Sequence, residues 1–147
     1  MNSSGYGAYS FETAYEMTWM PEEQDFDELG HVNNIIYVRC VQNIAVRHWS
    51  MIAPDSLQQR VHFVVLRHEI DYRDPILPGE QAEIRTWLGK ASGPRFDRHV
   101  DIRKKGATKF SARARTTWVM LDRQTGRPQR ITPEIFEAFG VSPDQLD

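Results

Sequence analysis

Two hydrophobic periods divide this chain. From Asn34 to Ile52 the apolar residues Ile35, Val38, Val41, Ala45, Trp49 and Ile52 recur at three- and four-residue steps, the spacing of one helix face. Ile36, Cys40, Ile44 and Met51 widen the stripe, so the pattern predicts a helix buried on much of its circumference and stopped by Pro54. From Val61 onward the period is two. Segments 61–72, 81–90, 95–104 and 108–121 read as four long strands, separated by Pro75-Ile76-Leu77-Pro78-Gly79, Ser92-Gly93-Pro94 and Lys105-Gly106, all of which are turn chemistry. A further strand over 11–19 places Phe11, Thr13, Tyr15, Met17 and Trp19 on one face. Short links between long strands make an antiparallel meander, because parallel neighbours need long crossovers. On the last strand Ala112, Ala114 and Thr116 are small enough for a helix to lie close. Thr132-Pro133-Glu134 reads as the cap and first turn of a short final helix ending near Gly140.

The expected fold class is α+β: an antiparallel sheet of about five strands wrapped around one long buried helix, which resembles the hotdog architecture. No repeat or linker interrupts residues 1–147, so one domain is expected, with residues 1–10 a flexible N-terminus and 133–147 a short helix and tail. An open sheet has edges that natural proteins cover or pair. Self-association as a homodimer or tetramer is therefore expected.

Composition narrows the function. A chain of 147 residues, 40% hydrophobic and 26% charged, buries one core without staples. A formal net charge of -2 argues against a nucleic-acid binder, which normally carries a basic excess. The single Cys40 excludes an internal disulfide and fits a reducing compartment. No apolar run approaches the length that spans a bilayer, and the polar opening residues lack the parts of a signal peptide. The expectation is a cytoplasmic protein with no membrane insertion.

Candidate chemistry concentrates in Asp25-x-Asp27-x-x-Gly30-His31-Val32-Asn33-Asn34-x-x-Tyr37. A calcium loop starting at Asp25 would want an oxygen ligand at its fifth position and Glu at its twelfth; these are Leu29 and Ile36. The five His show no zinc-type spacing with each other or with Cys40, so no metal site is expected. There is no Gly-x-Ser-x-Gly, no phosphate-cradling Gly loop, and Cys40 sits inside the helix as a small apolar residue. Carboxylate chemistry is what remains. An ordinary reading competes with it: Asp25, Asp27 and Asn33 are common turn residues, and Asn33 caps a helix well. Against that reading stands the interleaving of Asp25, Asp27, His31, Asn33 and Asn34 with apolar Phe26, Leu29 and Val32.

This segment resembles the signature of acyl-CoA thioesterases of the 4-hydroxybenzoyl-CoA thioesterase type, in the His-Val-Asn-Asn form. His68-Glu69-Ile70-Asp71-Tyr72-Arg73-Asp74-Pro75, Pro78-Gly79-Glu80, Thr117-Trp118-Val119-Met120-Leu121-Asp122 and Arg127 to Pro133 resemble later segments of that family. The resemblance implies an acyl-CoA hydrolase with Asp27 as catalytic carboxylate, either attacking the thioester carbonyl or activating water. It needs no cofactor, coenzyme A being part of the substrate. The helix start at Asn33 and Asn34 would polarise the carbonyl oxygen. His31 matches the His of plant-type acyl-carrier-protein thioesterases, either as catalytic partner or as structural hydrogen-bonder. Those enzymes carry Asn where this chain has Leu29, a departure that favours an Asp-centred mechanism. Gly30 and Asn33 would shape the substrate site and Tyr37 the acyl pocket. The turn holding Lys90, Ser92 and Arg95 offers positive charge to the phosphates of coenzyme A, and Asp71 and Asp74 are expected to ion-pair with Arg73. Alternatives are an acyl-carrier-protein thioesterase and a non-catalytic acyl-CoA-binding module. A dehydratase pattern, His-x-x-x-Gly-x-Pro, is absent.

Overall fold

The computed structural model describes residues 2–147. Five strands, β1 (Tyr15–Trp19), β2 (Val61–Tyr72), β3 (Ala82–Ser92), β4 (Arg95–Lys104) and β5 (Ala112–Asp122), form one antiparallel sheet in the order β1-β3-β4-β5-β2. The long helix α1 (Asn34–Ile52) packs on one face of that sheet, followed by α2 (Asp55–Arg60) and, late in the chain, α3 (Pro133–Phe139). This is the hotdog arrangement that the change of period predicts.

The differences from expectation have local causes. The strand expected over 11–19 begins only at Tyr15, because the Thr13 hydroxyl accepts from Tyr9 N and Ser10 N, each at 3.0 Å, and curls the chain into a turn. The strand expected from 108 starts at Ala112, after a turn in which Ala107 N donates to Lys104 O at 2.9 Å. Pro54 does end α1, but it also starts α2, its carbonyl accepting from Leu57 N and Gln58 N at 3.0 Å each. A proline costs nothing at a helix start, where its missing N–H has no helical partner.

Helix α1 buries one face, formed by Tyr37, Val41, Ile44, Ala45 and His48. The wider burial predicted by the apolar spacing is not found. Ile35 is 67% exposed and Met51 52%, as is the neighbouring Val46 at 57%, because a single sheet covers only one side of a cylinder. Facing the helix, β5 supplies buried Ala112, Ala114 and Thr116, the small row expected there.

The core is two apolar clusters divided by a polar seam. One cluster joins the N-terminal half of α1 (Tyr37, Val41, Ile44) to Ile76, Ile84 and Ile102. The other joins its C-terminal half to Leu88, Phe96, Trp118, Met120 and Phe139. Strand register places Leu88, Arg98, Thr116 and His68 in one row across four strands. Arg98 Nη1 donates to His48 Nδ1 at 2.8 Å and to Thr86 Oγ1 at 3.2 Å, and His68 Nδ1 lies 2.8 Å from Thr116 Oγ1. Because His48 Nδ1 accepts, its Nε2 carries the proton and donates to Gly5 O at 2.7 Å. Residues 2–10, expected to be flexible, are thereby tied down: Gly7 N donates to Phe139 O, Leu88 N to Ala8 O, and Ala8 is fully buried. Gly5 is required there twice over. Its φ is +74°, and a Cβ would come within 2.7 Å of His48 Nε2.

Burial, reinforced by the Arg98 charge, holds His48 down to about 3 from its ordinary 6.5. Across that window the unfolded chain binds a proton that the folded chain refuses, so this contribution to stability is complete above pH 6.5 and is lost as pH falls toward 3. Urea unfolding at a series of pH values should therefore show stability falling on acidification by up to about 1.4 kcal/mol per pH unit from this group. The His48→Gln variant should lose that component of the slope whatever its stability at neutral pH.

Candidate functional site

The segment preceding α1 folds around one carboxylate. Asp27 Oδ1 accepts from Leu29 N at 3.0 Å and from His31 N at 3.1 Å. Asp27 N donates to His31 O at 2.8 Å, and Gly30 N to Asp27 O at 3.1 Å. Gly30 takes φ +76°, and a Cβ there would meet nothing within 4 Å, so the demand for glycine is conformational and not steric. Val32 N donates to Ile76 O at 3.1 Å and Asn33 N to Asp25 O at 2.8 Å, which pins the loop to the segment after β2. With Oδ1 held twice, Asp27 Oδ2 accepts no hydrogen bond among the described residues.

Asp27, His31, Asn34 and Tyr37 border one cleft of about 300 Å³, so the structure brings together the three residues expected to be catalytic and the expected acyl-pocket tyrosine. The His31 ring makes no hydrogen bond among the described residues, its backbone alone holding Asp27. Asn34 is the first residue of α1, and its N–H finds no acceptor among the described residues. Tyr37 turns its ring into the core and its hydroxyl toward Ile76 N, 3.4 Å away. Burial pushes its pKa up, so it stays a neutral phenol. Asn33 does not border the cleft: its Oδ1 caps α1 by accepting from Ile35 N at 3.1 Å. Gly30 contributes through the turn alone.

Tyr72, Arg73 and Ser111 border the same cleft, and none of the three is a site residue in the sequence reading. The Tyr72 ring lies 5.6 Å from that of Tyr37. Ser111 is buried, and its hydroxyl has no partner among the described residues. Arg73 does not make the expected ion pairs. It sits over the Phe110 ring at 5.4 Å, while Asp74 pairs with Lys104 at 3.6 Å. The sequence signal for these three is the end of a strand meeting a turn, a common place for functional residues.

Lys90, Ser92 and Arg95 are not brought to this cleft. Ala82, where β3 begins, packs in the same cluster as Tyr37, and the strand then runs about 30 Å away from it at roughly 3.3 Å per residue. Lys90 and Ser92 border a separate surface cleft with Arg130 and Phe136. Three other cations are committed to acids: Lys104 also reaches Glu80, Arg113 pairs with Asp101 and Arg115 with Glu69. Cys40 is no rival nucleophile, since burial, with Asp25 adding to it, pushes its thiol up to about 12. Among the described residues no group of three or more His, Cys, Asp or Glu side chains could hold a metal ion. Among the described residues no helix is long and apolar enough to cross a membrane.

Residues 22–139 match the model of the thioesterase-like superfamily. The chain belongs to that superfamily. Its fold is similar to that of a Thermus thermophilus thioesterase complexed with coenzyme A and Zn, with 27% identity and a TM-score of 0.74 over 84% of this chain and 90% of that one. Two further structures share the fold. The probable thioesterase YbaW of Escherichia coli is 22% identical, with a TM-score of 0.73 over 85% and 96% of the two chains. The Synechocystis 1,4-dihydroxy-2-naphthoyl-CoA thioesterase Slr0204 is 15% identical, with a TM-score of 0.72 over 86% and 95%. No curated protein matches the sequence significantly.

The loop's dependence on Gly30 is testable apart from activity. Replacing Gly30 by Ala should destabilise the fold by about 1 kcal/mol and speed hydrogen exchange at the Leu29 and His31 amides that hold Asp27. Removing the cap with Asn33→Ala should cost about the same while leaving those two amides protected.

Proposed function

We propose that this protein hydrolyses acyl-CoA thioesters at Asp27. The observation that carries the reading is the division of labour on that side chain. One oxygen is fixed by two backbone N–H groups, and the other is left without a partner among the described residues, beside a cleft. A carboxylate held in one orientation and still open at one oxygen suits attack on a carbonyl carbon, or removal of a proton from water, at little reorganisation cost. Along the first route Oδ2 bonds to the thioester carbon, the coenzyme A thiolate leaves and takes a proton from solvent, and water then cleaves the mixed anhydride. Along the second, Oδ2 takes a proton from water as its oxygen bonds to the thioester carbon, the C–S bond breaks, and that proton passes to the departing coenzyme A thiolate. In either, the unpaired N–H of Asn34 and the positive end of α1 border the place where the carbonyl oxygen gains charge, and one such donor contributes about 3 kcal/mol. His31 and the Ser111 hydroxyl are the further polar groups at hand.

Carboxylate chemistry asks for no metal or cofactor beyond the coenzyme A of the substrate. The active unit is a homodimer or tetramer in this reading. Strand β2 ends the sheet and exposes Val64 and Leu66, and α1 turns Ile35, Val46 and Met51 outward. A second copy covering these surfaces could also present its Lys90–Arg95 turn, which this chain cannot bring to its own cleft, to a coenzyme A diphosphate. The superfamily and the free Cys40 fit action in the cytoplasm.

Free-thiol release from a panel of aryl and aliphatic acyl-CoAs tests the reading. Asp27→Asn should lower kcat by about 100-fold or more and leave acyl-CoA binding within a few-fold. Full activity in that variant would sink the mechanism. Binding without turnover in the wild type would make the protein an acyl-CoA-binding module, and turnover of acyl-carrier-protein substrates alone would move it to that class. Single turnover in heavy-oxygen water tests the anhydride route: label in Asp27 arises only if an anhydride forms and water opens it at the aspartyl carbon, whereas attack of water on the acyl carbon puts the label in the free acid by either route.

A further inference from the structure

A second cavity, of about 170 Å³, lies between the C-terminal half of α1 and strands β2, β4 and β5. Five aromatic rings line it: Trp49, Phe63, Phe96, Trp118 and Phe139 belong to one packed cluster. The ionisable groups on its wall are Arg98, His62 and Arg123, with no acid among them. That is unusual in a chain whose net charge is -2.

Arg98 is 2% exposed and makes no ion pair among the described residues. Its Nη1 is used by His48 and Thr86, both neutral, and its Nε has no partner among the described residues. The contrast within β4 is instructive. Asp101, the buried acid of the same strand, is held by Arg103 at 2.7 Å and Arg113 at 3.0 Å. A buried charge is ordinarily paired, because desolvation without a partner costs several kcal/mol. Burial lowers Arg98 to about 9, which leaves it protonated at neutral pH. Two more buried polar atoms on this wall are unpartnered among the described residues, Trp118 Nε1 and His62 Nδ1. Phe96 and Trp118 are cross-strand partners and so are Arg98 and Thr116, which makes Arg98 and Trp118 diagonal neighbours on adjacent strands.

We propose that this cavity binds a small carboxylate with an apolar body of about benzene size, its carboxyl group paired with Arg98 and its body among the aromatic rings. Three features of the wall fit that ligand. Arg98 and Trp118 line the cavity, each with a buried N–H that has no partner among the described residues, and a charge-assisted pair with a carboxylate is stronger than a neutral one. A cavity of about 150 Å³ holds one benzene, so the volume here suits a single ring. At the rim Val46 is more than half exposed and Arg123 adds a second positive charge, which gives an anion an attractive way in. The site is separate from the Asp27 cleft. Asn34 borders one and Ala45 the other, about 16 Å apart along α1 at 1.5 Å per residue, with the polar seam between. The inference does not rest on the activity proposed above.

Calorimetric titration with benzoate, and with benzyl alcohol as its uncharged counterpart, tests it on the intact protein. Quenching of Trp49 and Trp118 provides a second readout. The wild type should bind benzoate saturably and benzyl alcohol about 10-fold or more weakly. Arg98→Met should weaken benzoate about 10- to 100-fold while leaving benzyl alcohol unchanged, and Trp118→Phe should weaken benzoate a few-fold. Asp27→Asn should bind benzoate as the wild type does. Equal affinity for the acid and the alcohol, no saturable binding of benzoate, or loss of benzoate binding in Asp27→Asn would each overturn the proposal. The first two need only the wild type, so failure of an Arg98 variant to fold leaves the test intact.

Discussion

The hydrogen bond from Arg98 to His48 is the constraint around which the rest of the molecule is arranged. It puts a guanidinium that is charged at neutral pH and a neutral imidazole at the middle of a core that is otherwise apolar on both sides. In a low-dielectric interior such a bond is strong, and removing either partner strands the other at a cost of about 1–3 kcal/mol. The bond dictates the histidine tautomer, and the tautomer in turn dictates that the far nitrogen find an acceptor. Gly5 supplies it. The opening residues are thus ordered from the centre of the protein outward, through a side chain 43 positions away in sequence.

The seam also separates two kinds of work. Toward the start of α1 the apolar cluster supports an irregular loop whose backbone converges on one carboxylate oxygen. Toward its end the cluster is aromatic, leaves a hollow and encloses a charge. The same helix serves both, with its exposed first amide at one end and Trp49 at the other. A straight element on a twisted sheet can therefore hold two sites at fixed separation without either sharing side chains with the other.

How much was legible in the sequence follows from how local each signal is. The period change at Val61 fixes helix and strands because every residue of an element votes for it. The Asp27 loop was legible because turn residues and carboxylates sit close together in sequence, and His31, Asn34 and Tyr37 follow within a few residues. Tyr72, Arg73 and Ser111 reach the cleft only through the β2–β5 pairing, and no spacing in the chain announces that. Lys90, Ser92 and Arg95 erred the other way. Their charge suited phosphates, but the direction of β3 carries them off. Periodicity places Ile35 and Met51 in the core because it records which residues are apolar and not how much sheet is available to cover them. Arg98 carries no signal in the sequence, because an arginine in an alternating strand looks like a solvent-facing position; here it faces inward, between Phe96 and Val100 on the buried side.

The burial of Cys40 reaches into redox behaviour. A thiol pushed up to about 12 stays protonated at neutral pH, and thiolate is the form that reacts with peroxides and disulfides. The protein's single cysteine is therefore a poor target for oxidants, and the polar groups around the Asp27 cleft are oxygen and nitrogen. Sulfur damage falls first on thioethers instead. Met20 and Met51 are each more than half exposed, and the Met51 sulfur accepts the Tyr15 hydroxyl at 3.0 Å. Sulfoxide at Met51 would put a polar group where β1 meets α1, far from Asp27 and reversible by reductases.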